Sequence, residues 1–215
     1  MDSHYEAKRS DFADASHRSY VGGMWEDLGA LQFDDLVGQG LRPSHRLLDI
    51  GCGSLRGGVR FIDYLDPFHY FGTDINAALI EAGRERELTA AQRDRLGPDS
   101  FRVSDTFDFN FDGPAFDFAI AFSLFTHLTQ NKIRLCLSNL RHKLNGPLCA
   151  TVFLSENTDV SQPQLQKDGI ASWHFRDPYH YSRQQIADMA RDTGWQVAQI
   201  SDIAHPRNQW MVRFR

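Results

Sequence analysis

The apolar positions change period several times along this chain. Residues 1–20 are polar and charged without periodicity, which predicts a loose segment or one ordered by a ligand. Met24, Trp25, Leu28, Leu31, Leu36 and Val37 then recur at near-helical spacing, and Gly38, Gly40 and Pro43 stop that helix. Leu47 to Ile50 is a short run that bursts into Gly51-Cys52-Gly53, and a helical pattern returns at Val59, Phe61, Ile62 and Leu65. A buried strand feeding a tight turn that opens a helix explains this order. Glycine is needed at 51 and 53 because the backbone must bend sharply and leave room where a Cβ would clash.

The alternation continues. His69 to Ile75 reads as a second strand with Asp74 at its end. Ala77 to about Leu96 reads as one long solvated helix closed by Gly97-Pro98. Phe101 to Val103 is a short third strand, and the dense run Phe116 to Phe122 a central strand buried on both faces. A helix over Asn131 to Leu144 stops at Asn145-Gly146-Pro147, before a fifth strand from Leu148 to Leu154. Residues 155–181 form a long Pro- and Gly-punctuated insertion rich in aromatics. A capping box, Ser182 to Gln185, opens the last helix, and Trp195 to Ile200 and Gln209 to Phe214 are closing strands. The fold class is α/β, a three-layer arrangement. Its expected divisions are an N-terminal cap or lid (1–44), a ligand-binding core (45–154), a substrate-facing insertion (155–181) and a closing unit (182–215).

At 215 residues and 41% hydrophobic content the chain suits one domain. A net charge of −5 gives no global attraction to phosphate backbones, so nucleic acid is not expected as a partner and a small molecule is. Three cysteines without C-x-x-C spacing, no apolar stretch near the roughly 18 residues of a membrane span, and a Met1-Asp2-Ser3-His4 start unlike a signal peptide lead to a cytoplasmic expectation without membrane attachment. Nine scattered histidines form no H-x-x-x-H pair, and no metal is expected.

The glycine turn lacks the third glycine of a dinucleotide fingerprint, because Arg56 stands there, and it carries an acid, Asp49, two residues before the first glycine. The string Leu48-Asp49-Ile50-Gly51-Cys52-Gly53 instead resembles the first motif of class I S-adenosylmethionine (SAM) dependent methyltransferases, a Rossmann-like family with a seven-stranded, mostly parallel sheet whose last strand is antiparallel. The family usually has a glycine where this chain has Leu55. The resemblance covers roughly residues 45–214. It implies that Asp49, Gly51, Cys52 and Gly53 hold the methionine end of SAM, with Ile75 and Ser123 also on the cofactor. Asp105, after the third strand, matches the slot that contacts the adenine amino group. Asp74 lies a little over twenty residues beyond Gly51, where a carboxylate in a βαβ unit can accept from both ribose hydroxyls; capping the next helix is its other use.

His127, in Ser123-Leu124-Phe125-Thr126-His127-Leu128, is the general-base candidate, since imidazole titrates near neutrality and the stretch ends the fourth strand; bracing the next helix is the alternative. Tyr20, Trp25, His174, Tyr179 and His180 are candidate acceptor contacts, and Tyr5 joins Tyr20 and Trp25 in a possible lid. A motif for methylating exocyclic base amines is absent: Asp177-Pro178-Tyr179 comes too late and is one proline short. Metal-dependent catechol-type methylation wants an acid where Ser123 stands, and Glu156 with Asn157 make a weak case. The expected activity is methyl transfer from SAM, leaving S-adenosylhomocysteine, to a small-molecule acceptor, with a hydroxyl leading. N-methylation of a small amine and a regulatory SAM-binding module without turnover are the alternatives. The segment His205-Pro206-Arg207-Asn208-Gln209 is distinctive, with no mechanism beyond a possible substrate contact.

Overall fold

Eight strands hydrogen-bond into one sheet, in the order β3-β2-β1-β4-β5-β10-β9, with β8 added to β5. The structure is a computed structural model that describes residues 17–157 and 159–215; the expectation for Tyr5 lies outside them. The first five strands, β1 (Leu47–Ile50), β2 (Tyr70–Asp74), β3 (Phe101–Val103), β4 (Phe118–Ala121) and β5 (Leu148–Leu154), run parallel. The final strand, β10 (Gln209–Phe214), inserts antiparallel between β5 and β9 (Val197–Asp202).

Strand alternation sorts side chains into two cores. Leu48, Ile50, Ala119, Ala121 and Val212 face a layer holding α6 (Gln130–Leu140) and α7 (Arg183–Asp192). Leu47, Phe118, Ile120 and Met211 face α2 (Trp25–Gly38) and α3 (Gly58–Tyr64). β1 and β4 are buried along their whole length, the position of central parallel strands.

Two departures from the sequence reading have local causes. The long helix expected over 77–96 is broken into α4 (Ala77–Arg86) and α5 (Ala90–Arg93), because Thr89 and Gln92 form a reciprocal capping box that starts a new helix. Within that break, Glu87 pairs with His17 and Arg18 of α1 (His17–Tyr20). The insertion is also more regular than its composition implies. It contains a hairpin of β6 (Gln164–Leu165) and β7 (Ala171–Ser172), then β8 (His180–Tyr181), which pairs with the end of β5 through Phe153 and Leu154.

Candidate active site

At the carboxyl end of the parallel strands lie two adjoining cavities, of about 250 and 160 Å³, that share Gly51, Leu124 and His127 in their walls. This is where open α/β sheets bind ligands. The larger is lined by Ile50, Thr73, Asp74, Ile75, Ser104, Asp105, Phe107 and Tyr179. The smaller contains Tyr20, Asp49, Cys52, Gly53, Arg56, Ser123, Arg207 and Gln209.

The turn after β1 explains their shape. Gly51 (φ 75°) and Gly53 (φ 53°) both adopt left-handed backbone, and a Cβ on Gly51 would press on Leu124. The turn is held by Asp74, whose Oδ2 accepts from the Gly53 N–H at 2.9 Å and whose Oδ1 accepts from the Asn76 N–H at 2.8 Å. Asn76, not Asp74, caps α4, accepting from the N–H groups of Ala78 and Leu79. Burial pushes the Asp74 carboxyl up, and the backbone N–H groups of Asn76, Gly53 and Ile75 oppose that shift. Asp49 accepts from the Tyr70 hydroxyl at 2.8 Å and is raised to about 7, chiefly by burial.

Ser123, two residues beyond β4, adopts left-handed backbone (φ 57°), a conformation unusual for a residue with a Cβ and frequent at functional sites. It is held by its own backbone N–H, which donates to Thr151 Oγ1 at 2.6 Å, and by Oγ, which donates to Gln209 Oε1 at 3.1 Å. The sharp turn that follows brings His127 to the junction of the two cavities. Its Nδ1 lies 2.6 Å from Asp177 Oδ1. Since an ionised carboxylate only accepts, Nδ1 carries the proton and Nε2 is left as the basic nitrogen. The Tyr179 N–H donates to Thr126 O at 2.6 Å and the Tyr181 hydroxyl to Leu128 O, fastening the Asp177 segment against this turn.

Asp49, Gly51, Cys52, Gly53, Asp74, Ile75, Asp105, Ser123, His127 and Tyr20 all line one or both of these cavities. Three expected acceptor contacts line neither cavity. Trp25 packs edge-on against His17 and under the Arg18 guanidinium. His180 is buried with Nδ1 2.9 Å from Ser172 Oγ, and His174 packs edge-on against it at 4.2 Å. Each is taken up in packing its own segment. Tyr179 lines the cavity of Asp74 and Asp105, away from Ser123. Asp177, Arg207 and Gln209 were missed, although the distinctive His205 to Gln209 phrase contains two of them.

A family model described as a methyltransferase domain matches residues 48–146, the stretch that builds the glycine turn, both acidic strand ends and His127. Similarity to a methyltransferase domain thus spans the stretch that carries the site. Among curated relatives, the O-methyltransferase resE of Aspergillus sclerotiorum is 24% identical over 194 residues, covering 84% of this chain and 70% of that one. Magnesium protoporphyrin IX methyltransferase from Synechocystis PCC 6803, solved with bound SAM, superposes with a TM-score of 0.62 at 14% identity, over 98% of this chain and 89% of that one. The glycopeptide N-methyltransferase MtfA, complexed with SAM, gives 0.63 at 16% identity, over 86% and 93%. At such identities these two structures support the methyltransferase fold. Among the described residues, no helix is long and apolar enough to cross a membrane and no cluster of His, Cys, Asp or Glu could hold a metal ion.

Proposed function

We propose that this methyltransferase moves the methyl group of SAM to a hydroxyl of a small molecule, with His127 as general base. The cavities suit the cofactor. The larger offers apolar walls at Ile75, Phe107, Leu124 and Leu128 for a heteroaromatic ring, with Asp105 at its exposed edge and Asp74 at the strand end for a ribose. The smaller offers Asp49 and Arg56 for an ammonium and a carboxylate. When bound there, SAM supplies a methyl carbon made electrophilic by its sulfonium.

The observation that carries the reading is the placement of His127 where the cavities meet, with Nδ1 committed to Asp177. A neutral hydroxyl is a weak nucleophile until its proton has a destination, and Nε2 provides one. Asp177 fixes the tautomer and stabilises the imidazolium that forms. Phe122, Phe153 and Leu124 wall the smaller cavity and help exclude water. The relative named as an O-methyltransferase agrees with a hydroxyl acceptor. The test is S-adenosylhomocysteine formation over matched alcohol, phenol and amine acceptors, with product mass spectrometry. Turnover confined to amines would replace this reading with N-methylation, and tight cofactor binding without any turnover would favour a regulatory module.

A further inference from the structure

Gln209 opens β10, pairs with Phe153 of β5, and lines the smaller cavity although it is only 3% exposed. Its amide is oriented by two hydroxyls. Thr151 Oγ1 accepts from the Ser123 N–H and donates to Gln209 Oε1, both at 2.6 Å, and Ser123 Oγ donates to the same Oε1 at 3.1 Å. With both lone pairs of its oxygen engaged, the amide turns its NH₂ group the other way. Among the described residues Nε2 has no hydrogen-bond partner, and it is not one of the buried polar atoms sealed off without one; the space it opens on is the cavity.

A fixed donor therefore stands beside the apolar walls Phe122, Phe153 and Leu124, in the cavity that His127 also lines. In such surroundings a donor discriminates strongly, because leaving it unanswered or opposed costs more than it would in water. Two classes of acceptor answer it differently. A hydroxyl has one proton and two lone pairs, so it can give the proton to His127, accept from Gln209 and still attack with the second lone pair. A neutral amine has a single lone pair, which must attack the methyl carbon. Nothing is then left to accept, and a second N–H is set against that of the amide.

Resting on the reading above, in which His127 takes a hydroxyl proton, we propose that Gln209 selects oxygen over nitrogen acceptors by donating from Nε2 to the oxygen that is methylated. The O–C bond forms as the C–S bond breaks, its electron pair going to sulfur and the hydroxyl proton to His127. The same donor stabilises the negative charge that builds on the oxygen as its proton leaves.

The experiment titrates phenol, 4-methylphenol and 3-methoxyphenol, each beside the aniline of the same substitution, into the protein saturated with S-adenosylhomocysteine, followed by protein-observed NMR. Aryl pairs serve because both members are uncharged near neutral pH. At least one phenol should bind about ten-fold or more tightly than its aniline. Gln209→Glu keeps an oxygen for Ser123 and Thr151 but sets an acceptor where the donor stood, so the preference should turn to the aniline. Gln209→Met offers neither and should bring the pair within about two-fold, with S-adenosylhomocysteine affinity held within about three-fold in both variants. No phenol binding or no phenol preference in the unmodified protein, or a preference that survives in whichever variant folds, would overturn the proposal. So would a Gln209→Glu variant that weakens phenol, aniline and S-adenosylhomocysteine alike, since Gln209 would then only support Ser123. The reading beneath it fails on other signals, an unmodified protein that does not bind S-adenosylhomocysteine or a kcat unmoved in His127→Ala.

Discussion

His127 and Asp177 lie fifty residues apart in the chain and 2.6 Å apart in space, Nδ1 to Oδ1. A positioned base typically contributes about 10²–10⁴-fold, so His127→Ala should lower kcat by that order once an acceptor is in hand. Asp177→Asn keeps the shape and removes the anion. It should lower kcat by about ten-fold to a hundred-fold, with S-adenosylhomocysteine affinity nearly unchanged in both variants. Steady-state kinetics with calorimetry on the same preparations decides it; a variant that loses the cofactor instead would move His127 into the cofactor site.

Asp74 has two duties, since it holds the Gly53 and Asn76 N–H groups as well as facing the larger cavity. Asp74→Ala should therefore weaken SAM binding by about 1.5–3 kcal/mol and also lower the melting temperature of the free protein. Calorimetry and a thermal melt separate the two effects. Loss of stability with intact affinity would make Asp74 a support of the turn alone.

Asp49, raised to about 7, is largely protonated in the free protein below neutrality. A ligand ammonium beside it favours the ionised form, so binding should expel a proton when the pH lies below 7. Affinity should rise with pH between 5 and 7, by up to about ten-fold per unit, and level off above. Calorimetry in buffers of different ionisation enthalpy counts the proton, and Asp49→Asn should abolish the release. Proton uptake would place the ammonium elsewhere.

His205 runs the opposite way in the stability of the free protein. Burial, with Arg56, Arg207 and Lys167 nearby, lowers it to about 3, so between that value and about 6.5 the unfolded chain binds a proton that the folded chain refuses. Its contribution is full above pH 6.5 and is lost on acidification. Asp49, raised instead, binds its proton more readily when folded over an overlapping window, and so favours the folded state as pH falls. The two offset each other. His205→Gln removes the histidine's part of this pH response, and stability relative to the parent should gain about 2 kcal/mol on going from pH 7 to pH 5. Urea unfolding at the two pH values measures this; an equal pH response in parent and variant would refute it.

The cofactor half was legible in the sequence because its signals are local. A strand, two glycines and an acid at a fixed distance leave few backbone solutions, and the residues named from them line the two cavities. Leu55 shows how a motif can change without losing its shape. It keeps left-handed backbone (φ 69°) where the family has glycine, and its side chain is fully buried. Burying a leucine is worth about 1.5–3 kcal/mol, enough to offset a left-handed penalty of about 1–2 kcal/mol. The acceptor half was hidden because its contacts are long-range. Aromatic and histidine content pointed to His174 and His180, but those rings pack within the insertion, whereas Asp177 reaches His127, and Arg207 the smaller cavity, only through the pairing of β8 and β10. A period-2 or period-3.6 pattern carries no information about such pairings.

The two ends of the insertion lie one hydrogen bond apart: the Ser155 N–H donates to Tyr181 O at 3.1 Å, beside the pairing of β8 with β5. A stretch closed at its root in this way can be exchanged as a cassette, because its replacement needs to satisfy only that joint, while Gly51, Gly53 and Asp74 stay untouched. Descent can therefore alter what is methylated without reinventing how the methyl donor is held. Asp177 lies inside the cassette and His127 outside it. Any lineage that trades the insertion must bring along a new partner for His127, or do without one.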